Sequence, residues 1–460
     1  MKKLTKTLLS TCVLAMMGTA LIGCGTTKKK YAINITFWHT MGQTLQGLLN
    51  RFITEFQAEN PDIGIEHAAQ GGYDDLEEKL SAAIPAGTTP TMAYCYPDHV
   101  AEYMESNAVL QLDDFINSEE LGFTEADGLV SDIIPTYWQE GQEYIKTGTY
   151  SVPYSKSTEI MFYNKTVFED AAHHQSGQAY KVPTTWEEME ALMQEAKADY
   201  PDKTILGYDS DANMFITLCE QYGIPYTSLN RETGVGSADF NNAAAKAMVT
   251  KLVDWVDKGY LTTQALSGGA YTSTQFKDGK LLMSIGSTGG TSYNYGENFD
   301  IGLAPLPAPD ETNPFDFGGT LPKTNHIIMQ GPSICFFKKS TKAEREAAWK
   351  FYKFIVKAMN SASWSVKSGY SPIRQSSFDS DAMKDYLADP DQQGADKLIQ
   401  SVVSQYDSLS SRYYVSPAFH GSSTARNQVD GILANVALGT KTLDVAFADA
   451  YSRTIFAING

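Results

Sequence analysis

From residue 31 to residue 96 the chain is patterned as strand, helix, strand, helix, strand, and that order leaves few folds open. Residues 31–38 set Ala32, Asn34, Thr36 and Trp38 against Tyr31, Ile33, Ile35 and Phe37, the two-residue period of a strand. After His39-Thr40-Met41-Gly42, the residues Leu45, Leu48, Leu49, Phe52, Ile53 and Phe56 recur at helical spacing. Asn60-Pro61 ends that helix, because proline cannot donate into it and disfavours helical geometry at the residue before. Residues 63–69 are the next predicted strand. Residues 74–86 form a second helix, with Leu76, Leu80, Ala83 and Ile84 on one face, and 91–96 a third strand.

Two crossovers of this length predict parallel pairing in a doubly wound α/β sheet. Ligands of such sheets bind beyond the carboxyl ends of the strands. Trp38-His39-Thr40, Gly71-Gly72-Tyr73 and Tyr96-Pro97-Asp98 all fall there. An aromatic after each strand suits stacking on the apolar face of a small polyol or sugar. Taken alone, Trp38 and Tyr73 read equally well as ordinary core or rim aromatics.

Residues 1–23 read as a secretory signal: Lys2, Lys3 and Lys6 precede an apolar run too short for a comfortable membrane anchor. Leu21-Ile22-Gly23-Cys24 resembles a bacterial lipobox, which makes Cys24 an acylated first residue and 24–30 a flexible tether. Cys95, Cys219 and Cys335 have no metal-like spacing and are expected to be buried thiols. Losing Lys2, Lys3 and Lys6 takes the formal charge from −18 to −21, which argues against nucleic acid and against a polybasic membrane footprint. A local arginine can still bind an anion in that field. The mature length exceeds one usual domain, so two lobes are expected.

Further along, Pro183-Thr184-Thr185-Trp186-Glu187-Glu188 is a helix start, with a threonine cap and acidic residues in the positive first turn. Residues 159–163, 205–208, 281–285, 300–306 and 332–337 read as strands; 215–222, 243–256, 343–357, 428–438 and 443–458 read as helices. The polar stretch 223–239 reads as irregular. Gly286-Ser287-Thr288-Gly289-Gly290 lets backbone approach a ligand closely, but it lacks the P-loop lysine and the dinucleotide pattern.

Several segments, in order, resemble the extracellular solute-binding proteins (family 1) of carbohydrate ABC importers. They are Phe37-Trp38-His39 with Asn60-Pro61, Gly72-Tyr73 with Lys79 and Ala86-Gly87, and Pro153-Tyr154-Ser155-Lys156-Ser157-Thr158 leading to Tyr163-Asn164-Lys165. Pro183-Thr184-Thr185-Trp186, Gly369-Tyr370-Ser371-Pro372-Ile373 and Leu438-Gly439 complete the set. The resemblance implies a two-lobe periplasmic-binding-protein fold of type II, with a ligand cleft between lobes and three interlobe crossings. It places residues 31–150 and 300–357 in lobe 1, and 151–299 and 358–460 in lobe 2. It also implies a permease partner, a small-molecule solute, a monomer, no cofactor, and a lipid-anchored position outside the cytoplasmic membrane.

Within that family the chain looks most like the glycerol-3-phosphate-binding branch, whose ligand contacts fall here on Tyr73, Ser157, Ser287, Tyr370 and Arg426. A guanidinium offers a planar fork for phosphate, hydroxyls add donors, and tyrosines cover glycerol. The branch has a carboxylate directly after the tyrosine matching Tyr96; here Pro97 intervenes before Asp98. Either Asp98 replaces it or the ligand differs. A neutral sugar, stacked on Trp38, Tyr73 and Tyr370 and bonded by Asp98, Asn213 and Arg426, is the alternative, and Arg426 also reads as an ordinary ion-pair arginine.

An enzyme is the different-class competitor. Adjacent His173-His174 point about 100 degrees apart on a helix and chelate poorly, and they read as a solvated pair. There is no Gly-x-Ser-x-Gly elbow and no His-Glu-x-x-His, and no glycosidase carboxylate pair is resolvable without distances. No metal site is indicated.

Overall fold

The computed structural model describes residues 30–460, so the signal and Cys24 lie outside the described residues. The N-terminal pattern folds as its periodicity requires: β1 (Ile33–His39), α1 (Gln43–Glu59), β2 (Ile63–Ala69), α2 (Tyr73–Ala86), β3 (Met92–Cys95) and α3 (Pro97–Glu105). β1 pairs in parallel with both β2 and β3. Helix α1 stops where Asn60 donates its backbone and side-chain N–H groups to the Phe56 carbonyl, and α2 stops at the left-handed Gly87.

The remaining strands are β4 (Val152–Pro153), β5 (Glu159–Asn164), β6 (Thr204–Tyr208), β7 (Thr227–Asn230), β8 (Val235–Ala238), β9 (Leu261–Thr263), β10 (Leu281–Ser287), β11 (Ile301–Pro305), β12 (Ile327–Ile328), β13 (Ser333–Phe336) and β14 (Tyr413–Tyr414). They build two five-stranded sheets, ordered β2-β1-β3-β13-β4 and β11-β5-β10-β6-β9. Each sheet has its own apolar core. Phe37, Phe52, Phe56, Trp349 and Tyr352 belong to the first; Trp186, Met193, Phe215, Leu252 and Trp255 belong to the second. A smaller cluster with Phe162, Phe276 and Val402 is also packed on the second lobe.

The chain passes between lobes three times, and the crossing segments lie side by side. The Ser157 and Gln330 backbones exchange hydrogen bonds at 2.8 and 2.7 Å, and Ser371 N–H donates to the Lys156 carbonyl at 2.7 Å. Beside this strip the Lys156 ammonium, fully buried, meets both oxygens of Glu140 at 2.9 and 2.7 Å and the Gly331 carbonyl at 2.8 Å.

Five details depart from the sequence expectation. Strand β11, expected at the start of the first lobe's second segment, lies at the edge of the second sheet, antiparallel to β5. Strand β12 pairs with β14 over the second core, so the returning chain joins the first sheet only near Ser333. A short apolar run carries no mark of the sheet that will accept its edge. Residues 227–238 form a hairpin whose turn is held by Asn230 Oδ1, which accepts from the N–H groups of Glu232 and Thr233. The 428–438 helix is two pieces, Ser422–Asp430 and Ile432–Ala437, broken at Gly431. Finally, His173 is exposed beside Asp170, whereas His174 is buried, stacked on Tyr180 at 3.6 Å and bonded to the carbonyls of Val167 and Gln178. The two are therefore not a solvated pair.

Candidate functional site

Tyr73 opens α2, directly behind a turn that only glycine makes without strain. Gly71 has φ +103°, and a Cβ there would lie 2.3 Å from the Asp75 carboxylate, which itself accepts the Gly72 N–H at 2.8 Å. The Tyr73 ring meets the Tyr96 ring at 4.6 Å, and its hydroxyl lies among those of Thr40, Tyr96 and Tyr370. Burial and neighbouring phenols push these tyrosine hydroxyls up, so they stay neutral donors and acceptors near neutral pH. Tyr370 lies flat against Gly289, where a Cβ would approach its ring to 2.5 Å. The glycine-rich turn after β10 thus serves to let this aromatic in.

Ser157 sits on the crossing strip and Ser287 ends β10. Their hydroxyls meet at 3.2 Å, and Ser287 Oγ also accepts the Gly289 N–H at 3.1 Å. Asp98 lies in the first turn of α3 and accepts the His99 N–H at 3.1 Å. Arg426 projects from the Ser422–Asp430 helix and donates to Asn213 Oδ1. Asp98 and Arg426 line one open-sided cleft together with Tyr96, Tyr226, Thr227, Gln330 and Ser422.

The residues expected from the sequence thus form two adjoining groups. Tyr73 and Tyr370, with Ser157 and Ser287, form one; Asp98 and Arg426, which line the cleft, form the other. Trp38 is half-buried against the first core, and no hydrogen bond or ring contact among the described residues ties it to either group. Tyr96 was visible as part of the third strand's end. Tyr226 and Thr227 were hidden in a polar segment without clear periodicity. Glu159 was legible only as an acidic residue heading an apolar strand. It is buried, and desolvation pushes its carboxyl up to about 7 despite the donors Tyr208 and Asn213 and the nearby Arg426.

Contacts also cross the mouth of the cleft. Glu102 of α3 accepts from the His420 ring at 2.7 Å and the Gly421 N–H at 2.6 Å; Glu77 of α2 accepts the Ser423 hydroxyl at 2.6 Å. A cation, paired hydroxyls and stacked phenols suit holding a polar solute. Among the described residues no group of three or more His, Cys, Asp or Glu side chains is placed to hold a metal ion, and no helix is long and apolar enough to cross a membrane.

The chain is similar to known proteins in sequence and in fold. The chain is 27% identical over 384 residues to the sn-glycerol-3-phosphate-binding periplasmic protein UgpB of Escherichia coli strain K12, covering 79% of this chain and 78% of that one. Among solved structures, the GacH receptor of Streptomyces glaucescens superposes with a TM-score of 0.72 at 17% identity, over 93% of this chain and 98% of that chain. UgpB from Mycobacterium tuberculosis, in complex with glycerophosphocholine, gives 0.69 at 18% identity over the same shares. These two likenesses establish the two-lobe binding-protein fold. The model of the bacterial extracellular solute-binding proteins matches residues 51–390, and the chain belongs to that family.

Proposed function

We propose that this protein is the lipid-anchored, substrate-binding component of an ABC importer, and that it captures glycerol-3-phosphate or a related phosphate ester outside the cytoplasmic membrane. The observation that carries the ligand class is Arg426, a guanidinium in the cleft beside Asp98, with the paired Ser157 and Ser287 hydroxyls and the Tyr73–Tyr370 contact in the adjoining group. Arginine's fork matches two phosphate oxygens. The hydroxyls, which meet at 3.2 Å, supply further partners, and the phenols cover a glycerol chain. Ligand drives closure only through contacts better made in the closed state, so residues of both lobes meet across it. The closed form then docks on a membrane permease that releases the solute. Sequence likeness to UgpB of Escherichia coli supports the phosphate-ester reading, and family membership supports a place outside the cytoplasmic membrane.

A neutral mono- or oligosaccharide is the second reading, favoured by the displaced carboxylate of Tyr96-Pro97-Asp98 and by the carboxylate and amides in and beside the cleft. A thermal-shift screen of residues 31–460 against glycerol-3-phosphate, glycerophosphodiesters and sugars separates the two, since a ligand of the folded state raises its melting temperature. A shift with phosphate esters alone is expected. Arg426→Ala is expected to abolish that shift while leaving the unliganded melting temperature unchanged; an undiminished shift in the variant removes Arg426 as the anion anchor. A shift with neutral sugars alone replaces the phosphate reading with the second one.

A further inference from the structure

Behind Arg426 lies a buried carboxylate that ligand capture as described above does not use. Glu159 is the first residue of β5, 1% exposed, and its antiparallel register with Ser287 puts both side chains on one face of the sheet. Its carboxylate accepts the Tyr208 hydroxyl at 2.5 Å and lies beside the Asn213 amide. Asn213 Oδ1 accepts from Arg426, so the group Asn213 turns to Glu159 is its Nδ2–H donor. Arg426 Nη2–H thus donates to Asn213 Oδ1, the Asn213 amide NH2 is left to face Glu159, and Tyr208 O–H donates to Glu159.

We propose that Glu159 is the positioning residue of the anion anchor, orienting Arg426 through Asn213, and that its carboxylate takes up a proton from solvent when an anionic ligand binds. The proposal deepens the phosphate-ester reading and rests on it. While Glu159 is ionised, its charge opposes that of Arg426 at the ligand. An anion brought to Arg426 makes the ionised form costlier still, so anion and proton favour each other's binding. The carboxyl's displacement to about 7 sets this coupling near neutral pH. The groups facing Glu159 are Tyr208 and Asp209 from β6 and its end, Asn213 from the Asp211–Gln221 helix, and Arg426 from the Ser422–Asp430 helix. Asp430 also feels Arg426, and its carboxylate accepts the Ala212 N–H at 2.9 Å. Asp211, whose carboxyl burial raises to about 6, lies beside Asp430. Substituting Glu159 alone separates its titration from theirs.

The test is calorimetric titration of residues 31–460 with glycerol-3-phosphate between pH 6 and pH 8, for the wild type and Glu159→Gln. Each ratio of the two dissociation constants cancels the ligand's own ionisation. The wild type is expected to lose affinity relative to the variant by about ten-fold across this window, because the variant has no carboxyl to protonate. If Glu159→Gln does not fold, titrating the wild type with a glycerophosphodiester, which has no ionisation of its own in this window, still decides. Repeating the titration at pH 7.5 in buffers of different ionisation enthalpy is expected to show net uptake on the order of half a proton. A ratio independent of pH, or no proton uptake, overturns the role of Glu159 while leaving the phosphate-ester reading in place. If the wild type does not bind glycerol-3-phosphate at any pH, that reading fails, and this one falls with it.

Discussion

Two sets of carboxylate contacts hold the lobes together, and they are built for opposite purposes. At the crossings, Glu140 and Lys156 are essentially fully buried. The ammonium has three partners, and Ser333 adds a hydroxyl to Glu140 at 2.8 Å. At the mouth of the cleft, Glu102 and His420 are 22% and 36% exposed, and Glu77 is 17% exposed. Water can replace a lost partner at the mouth, and it cannot at the crossings. The same acid–base vocabulary therefore makes a permanent joint in one place and a releasable catch in the other, with solvent access deciding which.

The sharpest way to break this comparison is Lys156→Met, which strands a buried carboxylate. It is expected to cost about 3–5 kcal/mol in urea unfolding, and Lys156→Met with Glu140→Leu should recover much of that loss. A single-variant loss below about 1 kcal/mol would refute the permanent joint.

Glu159 is an intermediate case, buried but with no cation in direct contact. Its folded carboxyl is raised, so the folded state holds an extra proton. The stabilising contribution is complete below the ordinary carboxylate range and is lost as pH climbs through about 7. Relative to Glu159→Gln, the wild type is expected to lose on the order of 3 kcal/mol between pH 4 and pH 8. A difference in unfolding free energy that does not change with pH would contradict this.

The smallest effect on stability is expected at the catch. Glu102→Gln and Glu77→Gln should each change global stability by no more than about 1 kcal/mol. They should nonetheless favour the open form, seen as a larger radius of gyration in solution scattering. Unchanged scattering would mean that the catch does not hold the lobes together.

How much of this was readable in the chain depends on how local the cause is. Strands β1 to β3 and their helices follow from residues within one or two turns of one another, and Thr185 caps its helix with Glu188 in return, as its sequence implies. The sheet that receives β11 is fixed by pairing with a strand more than a hundred residues earlier, which periodicity does not encode. The β7–β8 hairpin has a mostly polar surface pattern and a long turn, so its alternation is faint. In the site, the glycines of 286–290 announced a close approach, and Gly289 makes it to the Tyr370 ring. The route from Arg426 through Asn213 to Glu159 joins three segments that only the folded second lobe brings together. His174 was misjudged because its burial depends on Tyr180, a partner outside its own turn.

The crossing strip also orders events in time. Ser157 lies on it and Tyr370 immediately precedes it, whereas Tyr73 and Arg426 are carried by helices of opposite lobes. Residues near an axle travel little when the arms swing. Under the proposed function, an arriving solute would berth against Ser157 and Tyr370 with the molecule still agape, and only afterwards be gripped from both sides.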